Sequence, residues 1–247
     1  MSIGFRLLFA AIVLAAAALP AGAQAFSDDF ESGLGGWTQT VSVLDLSTAQ
    51  NIVPAGGANS AYAGSAGDRM WRNLGADVGA FYFSFWMYDG THTRMQGEVR
   101  GYTGAGYADG TLEQLFAIGR YTTVTMPGEI YDGTKYQGRI AFPGDTMGWF
   151  QLNAPGSPDR STGWHQFGIE RTEENVLNFW VDGILSRSLT GATWATVDCV
   201  SLGYGAGTFA GDAWFDGVEF SAVPEPGSLL ALGAGLAAMA GMARRRR

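Results

Sequence analysis

The stretch FYFSFWMYDG, Phe81 to Gly90, constrains the fold more than any other part of the chain. In an extended strand successive side chains point to opposite faces. Phe81, Phe83, Phe85 and Met87 therefore share one face, and Tyr82, Ser84, Trp86 and Tyr88 share the other. Both faces are bulky, which predicts a central strand whose second face is also covered or lines a groove. Related stretches recur at Glu113–Met126, Lys135–Gly144, Trp164–Arg171, Val176–Gly183 and Ala213–Ala222. In Trp164–Arg171, His165, Phe167 and Ile169 fall on one face; in Val176–Gly183, Leu177, Phe179 and Val181 do. No long run in the middle of the chain spaces its apolar residues three and four apart. Asp-Gly pairs at Asp89, Asp109, Asp132, Asp182 and Asp216 predict tight turns, because glycine and aspartate tolerate positive φ. Short strands punctuated in this way predict an all-β sandwich or barrel.

Both ends are set apart from that pattern. The N-terminus has one positive charge at Arg6, an apolar run from Leu7 to Leu19, a break at Pro20 and small residues at Ala23 and Ala25. This is the layout of a secretory signal peptide, residues 1–25, cut after Ala25. The apolar run is too short for a spanning helix, which needs about 20 residues. Residues 26–222 then form one β-domain, a size that buries a sizeable core. The basic residues of this segment number 10 and the acidic ones 22, a net charge of −12. That balance argues against nucleic acid or anionic lipid as partner. It suits divalent cations or plain solubility. The lone cysteine, Cys199, excludes an internal disulfide and reads as a small buried hydrophobe. Asn153–Gly163 is a loop rich in Pro, Gly and Ser, with similar strands on both sides.

GWHQFGIERTEENVLNFWVDGILSRSL, Gly163 to Leu189, resembles the strand–turn–strand signature of concanavalin A-like and laminin-G-like jelly rolls. FSDDFESGLGGW, Phe26 to Trp37, and AWFDGVEFSA, Ala213 to Ala222, resemble the first and last strands of that fold and the ends of carbohydrate-binding β-sandwich modules. The resemblance implies an antiparallel jelly-roll β-sandwich with its terminal strands paired. It also implies that Trp37, Trp164 and Phe179 lie in the core.

Several chemistries can sit on such a sandwich. Glucanases of this fold carry Glu-x-Asp-x-Glu or Glu-x-Asp-x-x-Glu on one strand, so that alternation aims all three acids into the cleft. Here EVRGYTG has one acid, and Asp212, Asp216 and Glu219 fall out of register. Glu170, Glu173 and Glu174 read as a solvated turn. A divergent glycoside hydrolase is therefore an alternative, and the expectation is no enzymatic activity. No Gly-x-Ser-x-Gly elbow occurs, and His92 and His165 are the two histidines. Gly205–Ala210 matches a loose dinucleotide-loop string with no helix after it to present an N-terminus. Asp28, Asp29 and Glu31 at the first strand and Asp216 in the last converge if the ends pair. They form either a structural calcium site or a solvated acidic rim with ordinary turn roles. Trp71, Trp86, Tyr88, Trp149 and Trp180 are candidate glycan platforms, since sugar C–H faces stack on aromatic rings; the competing role is core packing.

The C-terminus, residues 223–247, begins with Pro224, Glu225 and Pro226. An apolar helix follows over 228–243, then Arg244, Arg245, Arg246 and Arg247. Sixteen helical residues span about 24 Å, short of the roughly 30 Å hydrocarbon core unless the bilayer thins and the arginines snorkel. The arginines stay cytoplasmic, which puts the β-domain outside. Pro-Glu-Pro, short helix and arginine cluster together resemble the PEP-CTERM sorting signal of bacterial exported proteins. The resemblance implies export through the Sec translocon of a Gram-negative-type cell, then transient membrane insertion. It further implies processing by an exosortase and delivery to the surface or to a biofilm matrix of extracellular polysaccharide. The expected activity is weak carbohydrate binding, the alternative a purely structural or adhesive matrix role.

Overall fold

The protein's fold is given by a computed structural model that describes residues 25–39, 43–52, 57–65, 67–90, 94–104, 107, 109–141, 148–190, 194–204 and 212–223. Of the expected signal peptide the part up to residue 24, the C-terminal segment from Pro224, His92 and Gly205–Ala210 lie outside the described residues. Among the described residues there are fifteen strands and no helix. They are β1 Phe26–Asp28, β2 Thr38–Gln39, β3 Asp45–Ser47, β4 Ser60–Ala63, β5 Arg69–Val78, β6 Phe81–Asp89, β7 Met95–Thr103 and β8 Thr111–Arg120. There follow β9 Gln137–Ala141, β10 Trp149–Gln151, β11 Gly163–Arg171, β12 Leu177–Val181, β13 Ile184–Leu189, β14 Val197–Gly203 and β15 Ala213–Ala222.

Two antiparallel sheets result. One has eight strands in the order β13-β12-β11-β6-β15-β4-β3, with β1 also on β15. The other has seven in the order β10-β9-β8-β7-β14-β5-β2. The expected two-sided strand is β6, which sits between β11 and β15. Phe81, Phe83, Phe85 and Met87 all face the core. The first and last strands pair as expected, with Phe26 opposite Phe220. Phe85 stacks on Phe167 at 5.5 Å, and Phe150 of β10 meets Phe179 of β12 edge-on at 5.2 Å, which joins the two sheets. Each fully buried Phe contributes about 1.5–3 kcal/mol. Cys199 is buried in β14.

Two expectations are corrected. Trp37 and Phe179 are buried, but Trp164 is only half-buried. It points away from the core beside Tyr88, because alternation puts it opposite His165. Asp182-Gly183 makes the predicted hairpin turn, both residues at positive φ as a type I′ turn requires. Asp216-Gly217 does not turn. It is a bulge inside β15, where Asp216 pairs with Trp86 and Glu219 with Ser84, three steps against two. Gly217 takes φ 52°, the left-handed residue of a G1 bulge.

Gly97 of β7 faces Phe85 of β6 across the core. A β-carbon added to Gly97 would enter the Phe85 ring, so only glycine fits. Gly97→Ala is expected to lower unfolding free energy by about 1–3 kcal/mol, measured by urea denaturation; an unchanged midpoint would refute this packing.

Candidate functional site

The outward face of the seven-stranded sheet is polar yet buried. In β7, Met95 and Val99 face the core, so Gln96, Glu98 and Arg100 face out. All three are buried, with Gln137, Gln151 and Ser201 from neighbouring strands. Glu98 is the hub. It accepts from Arg69 Nη2 at 3.2 Å, Arg100 Nε at 2.6 Å and Ser201 Oγ at 2.8 Å, and from Gln96 Nε2. Burial alone would raise its carboxyl, but Arg100 and Arg69, aided by Gln96 and Ser201, hold it at about 2. Gln96 Oε1 is buried without a protein donor. Such an acceptor at a site floor suits a hydroxyl donor.

Aromatic rings border this floor at both ends. Trp71 stacks on Tyr107 with centroids 4.8 Å apart, and Tyr102 meets Tyr107 edge-on at 5.7 Å. The Arg100 guanidinium lies 5.1 Å from the Tyr107 centroid and bonds Tyr102. At the far end Trp149 is buried, stacked on Tyr121 at 3.9 Å with Arg139 5.6 Å from its ring. Arg94 caps Tyr121 at 4.4 Å. Of the predicted platforms on this sheet, Trp71 is half-buried, whereas Trp149 is buried under Tyr121 and Arg139.

Trp86, Tyr88 and Trp180 lie on the opposite side of the sandwich, on the outward face of the eight-stranded sheet. Tyr88 meets Trp164 at 5.7 Å and Trp214 at 5.6 Å, and Trp214 packs on Tyr62 at 4.9 Å. Trp180 is tied by its indole N–H to Glu170 at 3.3 Å. The five predicted platforms therefore divide between two faces and do not form one site. Tyr62, Tyr102, Tyr107, Trp164 and Trp214 were not among them. The signal for the polar floor was the alternation Gln96-x-Glu98-x-Arg100, which sets both signs of charge on one face.

The four acids at the paired ends are individually committed. Asp28 accepts from the Trp37 indole at 2.8 Å and lies 3.8 Å from Arg72. Asp29 accepts from Glu31 N, and Glu31 accepts from Ala58 N and Asn59 N. Asp216 is buried and accepts from Ile52 N and Gly217 N. Burial raises its carboxyl, and the charges of Asp29 and Glu31 add to the rise. Among the described residues no group of three or more His, Cys, Asp or Glu could hold a metal ion. With Asp28 already beside a cation, the four do not fit as one calcium ligand set.

His165 joins a loop to a turn. Its Nδ1 lies 2.7 Å from Asp182 Oδ2, and its Nε2 lies 3.0 Å from Ser161 Oγ and 3.1 Å from Ser161 O. The Asp182 bond raises the imidazole pKa against the opposing effect of burial. Its stabilisation is thus complete below the unfolded value of 6.5 and is lost as pH rises through the raised folded value. The charged ring donates to both acceptors, which latches the Asn153–Gly163 loop to the β12–β13 turn. In that state it has no lone pair to accept a proton from Ser161.

Comparison with known proteins bears on the tail and the fold. Residues 222–247 match the PEP-CTERM protein-sorting motif. No curated protein matches the chain. Among solved structures, the globular domain of T. cruzi calreticulin is similar with TM-score 0.55 and 10% identity, over 89% of this chain and 100% of that one. The cellulose induced protein Cip1 is similar with TM-score 0.53 and 15% identity, over 80% and 97%. Bacillus licheniformis β-glucanase is similar with TM-score 0.52 and 14% identity, over 81% and 99%. At these identities the likeness shows the fold, a jelly-roll-like two-sheet sandwich, and no ligand.

Two outcomes are expected. Glu98→Gln removes the carboxylate charge that Arg69 and Arg100 both pair with and costs about 3–5 kcal/mol. In the unmodified protein the Glu98 contribution is present above its unfolded value of 4.5 and is lost as pH falls toward about 2. Denaturation of both forms across that range checks this; equal stability at neutral pH would contradict it. Excess chelator is expected to leave the melting curve unchanged, and a fall in melting temperature would show that the acids at the paired ends rearrange around an ion.

Proposed function

We propose that this is an exported surface or biofilm-matrix protein, processed by an exosortase and without enzymatic activity, whose sandwich binds carbohydrate on the outward face of the seven-stranded sheet. One observation carries the binding reading: the Glu98-centred polar floor bordered by Trp71, Tyr102 and Tyr107. A sugar ring has apolar C–H faces and hydroxyls at its edge. The half-buried Trp71 ring suits the first. The guanidinium, amide and carboxylate groups of the floor suit the second, already fixed in place by one another. Glu98 is also a poor general acid, since a carboxyl held at about 2 stays ionised at neutral pH. This supports binding without turnover.

The tail supplies the address. A PEP-CTERM motif over 222–247 implies export and passage through a membrane. Exosortase cleavage near Pro224–Pro226, with delivery of the sandwich to extracellular polysaccharide, is our reading of that motif.

The binding reading predicts that Trp71→Ala weakens retention on the host's own exopolysaccharide by about tenfold, from about 1–1.5 kcal/mol of lost stacking. Affinity electrophoresis measures it, and undiminished retention would remove this face from consideration. The processing reading predicts that protein recovered from its host ends before Arg244. Intact-mass analysis that finds Arg247 still attached would sink it.

A further inference from the structure

The bulge in β15 shapes a second site on the other side of the sandwich. Trp86 lies between Gln166 of β11 and Asp216 of β15 on the outward face of the eight-stranded sheet. Gly217 sits against it, and a β-carbon there would come to 3.0 Å from Trp86 Cδ1. The space a side chain would need stays open as a pocket of about 250 Å³. Trp86, Gln166 and Gly217 line it together with Ser27, Asp29 and Glu219. That is room for about one sugar ring, below the size of a drug pocket.

The charge of this pocket is one-sided. Among the described residues three carboxylates line it and no basic side chain does. Asp28 is balanced by Arg72 and the Trp37 indole. Asp29 and Glu219 are exposed, and neither joins an ion pair among the described residues. An aromatic ring presents a negative face, so a cation is drawn to it. Trp86 and the two unpaired carboxylates therefore favour the same sign of ligand.

We propose that the Trp86 pocket binds a cationic sugar unit, a hexosamine whose free amine is protonated. Its ring packs on Trp86, its ammonium lies toward Asp29 and Glu219, and its hydroxyls meet the Ser27 hydroxyl and the Gln166 amide. A neutral N-acetylated sugar keeps the stacking but loses the ionic attraction, and an anionic sugar is repelled. This site is independent of the Glu98 floor, which lies on the other sheet.

The test is calorimetric titration of the full-length chain, in mild detergent, with glucosamine tetramer and with N-acetylglucosamine tetramer. Glucosamine tetramer is expected to bind about tenfold tighter, and added salt is expected to weaken it. The surface double variant Asp29→Asn/Glu219→Gln is expected to lose that preference, and Trp86→Ala to lose binding. Equal affinity for the two tetramers would overturn the proposal, as would an unaltered preference in the double variant. Glucosamine binding that survives Trp86→Ala would place the site elsewhere and overturn the proposal. Displacement of the tetramer by equimolar calcium would overturn it in favour of a metal.

Discussion

The structure depends on keeping β15 in phase. This strand bonds to β6 along its length on one side, and to β4 and then β1 on the other. Phe215 before the bulge and Val218 and Phe220 after it must all face the core. Strict alternation from Phe215 would turn Val218 and Phe220 to solvent and Glu219 inward, since a one-residue shift reverses every later side chain. The extra residue at Gly217 absorbs the shift. Its left-handed φ and missing side chain keep both halves of the sheet registered with β6. The same glycine keeps open the space beside Trp86, and Asp216 folds back to bind its amide.

The two outward faces have different chemistry because different strands build them. On the seven-stranded sheet, Arg69, Glu98 and Arg100 are withdrawn from water into a mutually bonded set. Buried ions of this kind are weak evidence for stability, because desolvation offsets much of their attraction. Their consequence is order: Arg69, Gln96, Arg100 and Ser201 are all held on one carboxylate. On the eight-stranded sheet the half-buried aromatics Tyr62, Tyr88, Trp164 and Trp214 form a continuous band. A domain delivered to a polysaccharide matrix by its tail would thus present two surfaces of opposite character.

The sequence made the strands legible wherever one face is apolar over several residues. Phe81–Met87, Phe167–Ile169 and the pairing of the first and last strands follow from alternation and the terminal motifs. Asp182-Gly183 and Asp216-Gly217 are the same dipeptide, yet one is a turn and the other a bulge. The difference lies in the neighbouring strand, which no local reading contains. The outward place of Trp164 was legible from the alternation that sets His165, Phe167 and Ile169 on one face, and the core assignment drawn from the family resemblance ran against that period. The polar floor was legible only in part. Arg69 and Ser201 reach Glu98 from 29 and 103 residues away. The burial of Trp149 depends on Tyr121, which sequence spacing does not connect to it.

The central claim is that the Glu98 floor and its Trp71 border hold carbohydrate. The most direct measurement is the NMR spectrum of the tryptophan indole and arginine Nε–H groups as the host's exopolysaccharide is added. Shifts at Trp71 and Arg100, with Trp180 unmoved, are the predicted result. A spectrum in which Trp71 and Arg100 stay fixed at saturating polysaccharide would contradict it.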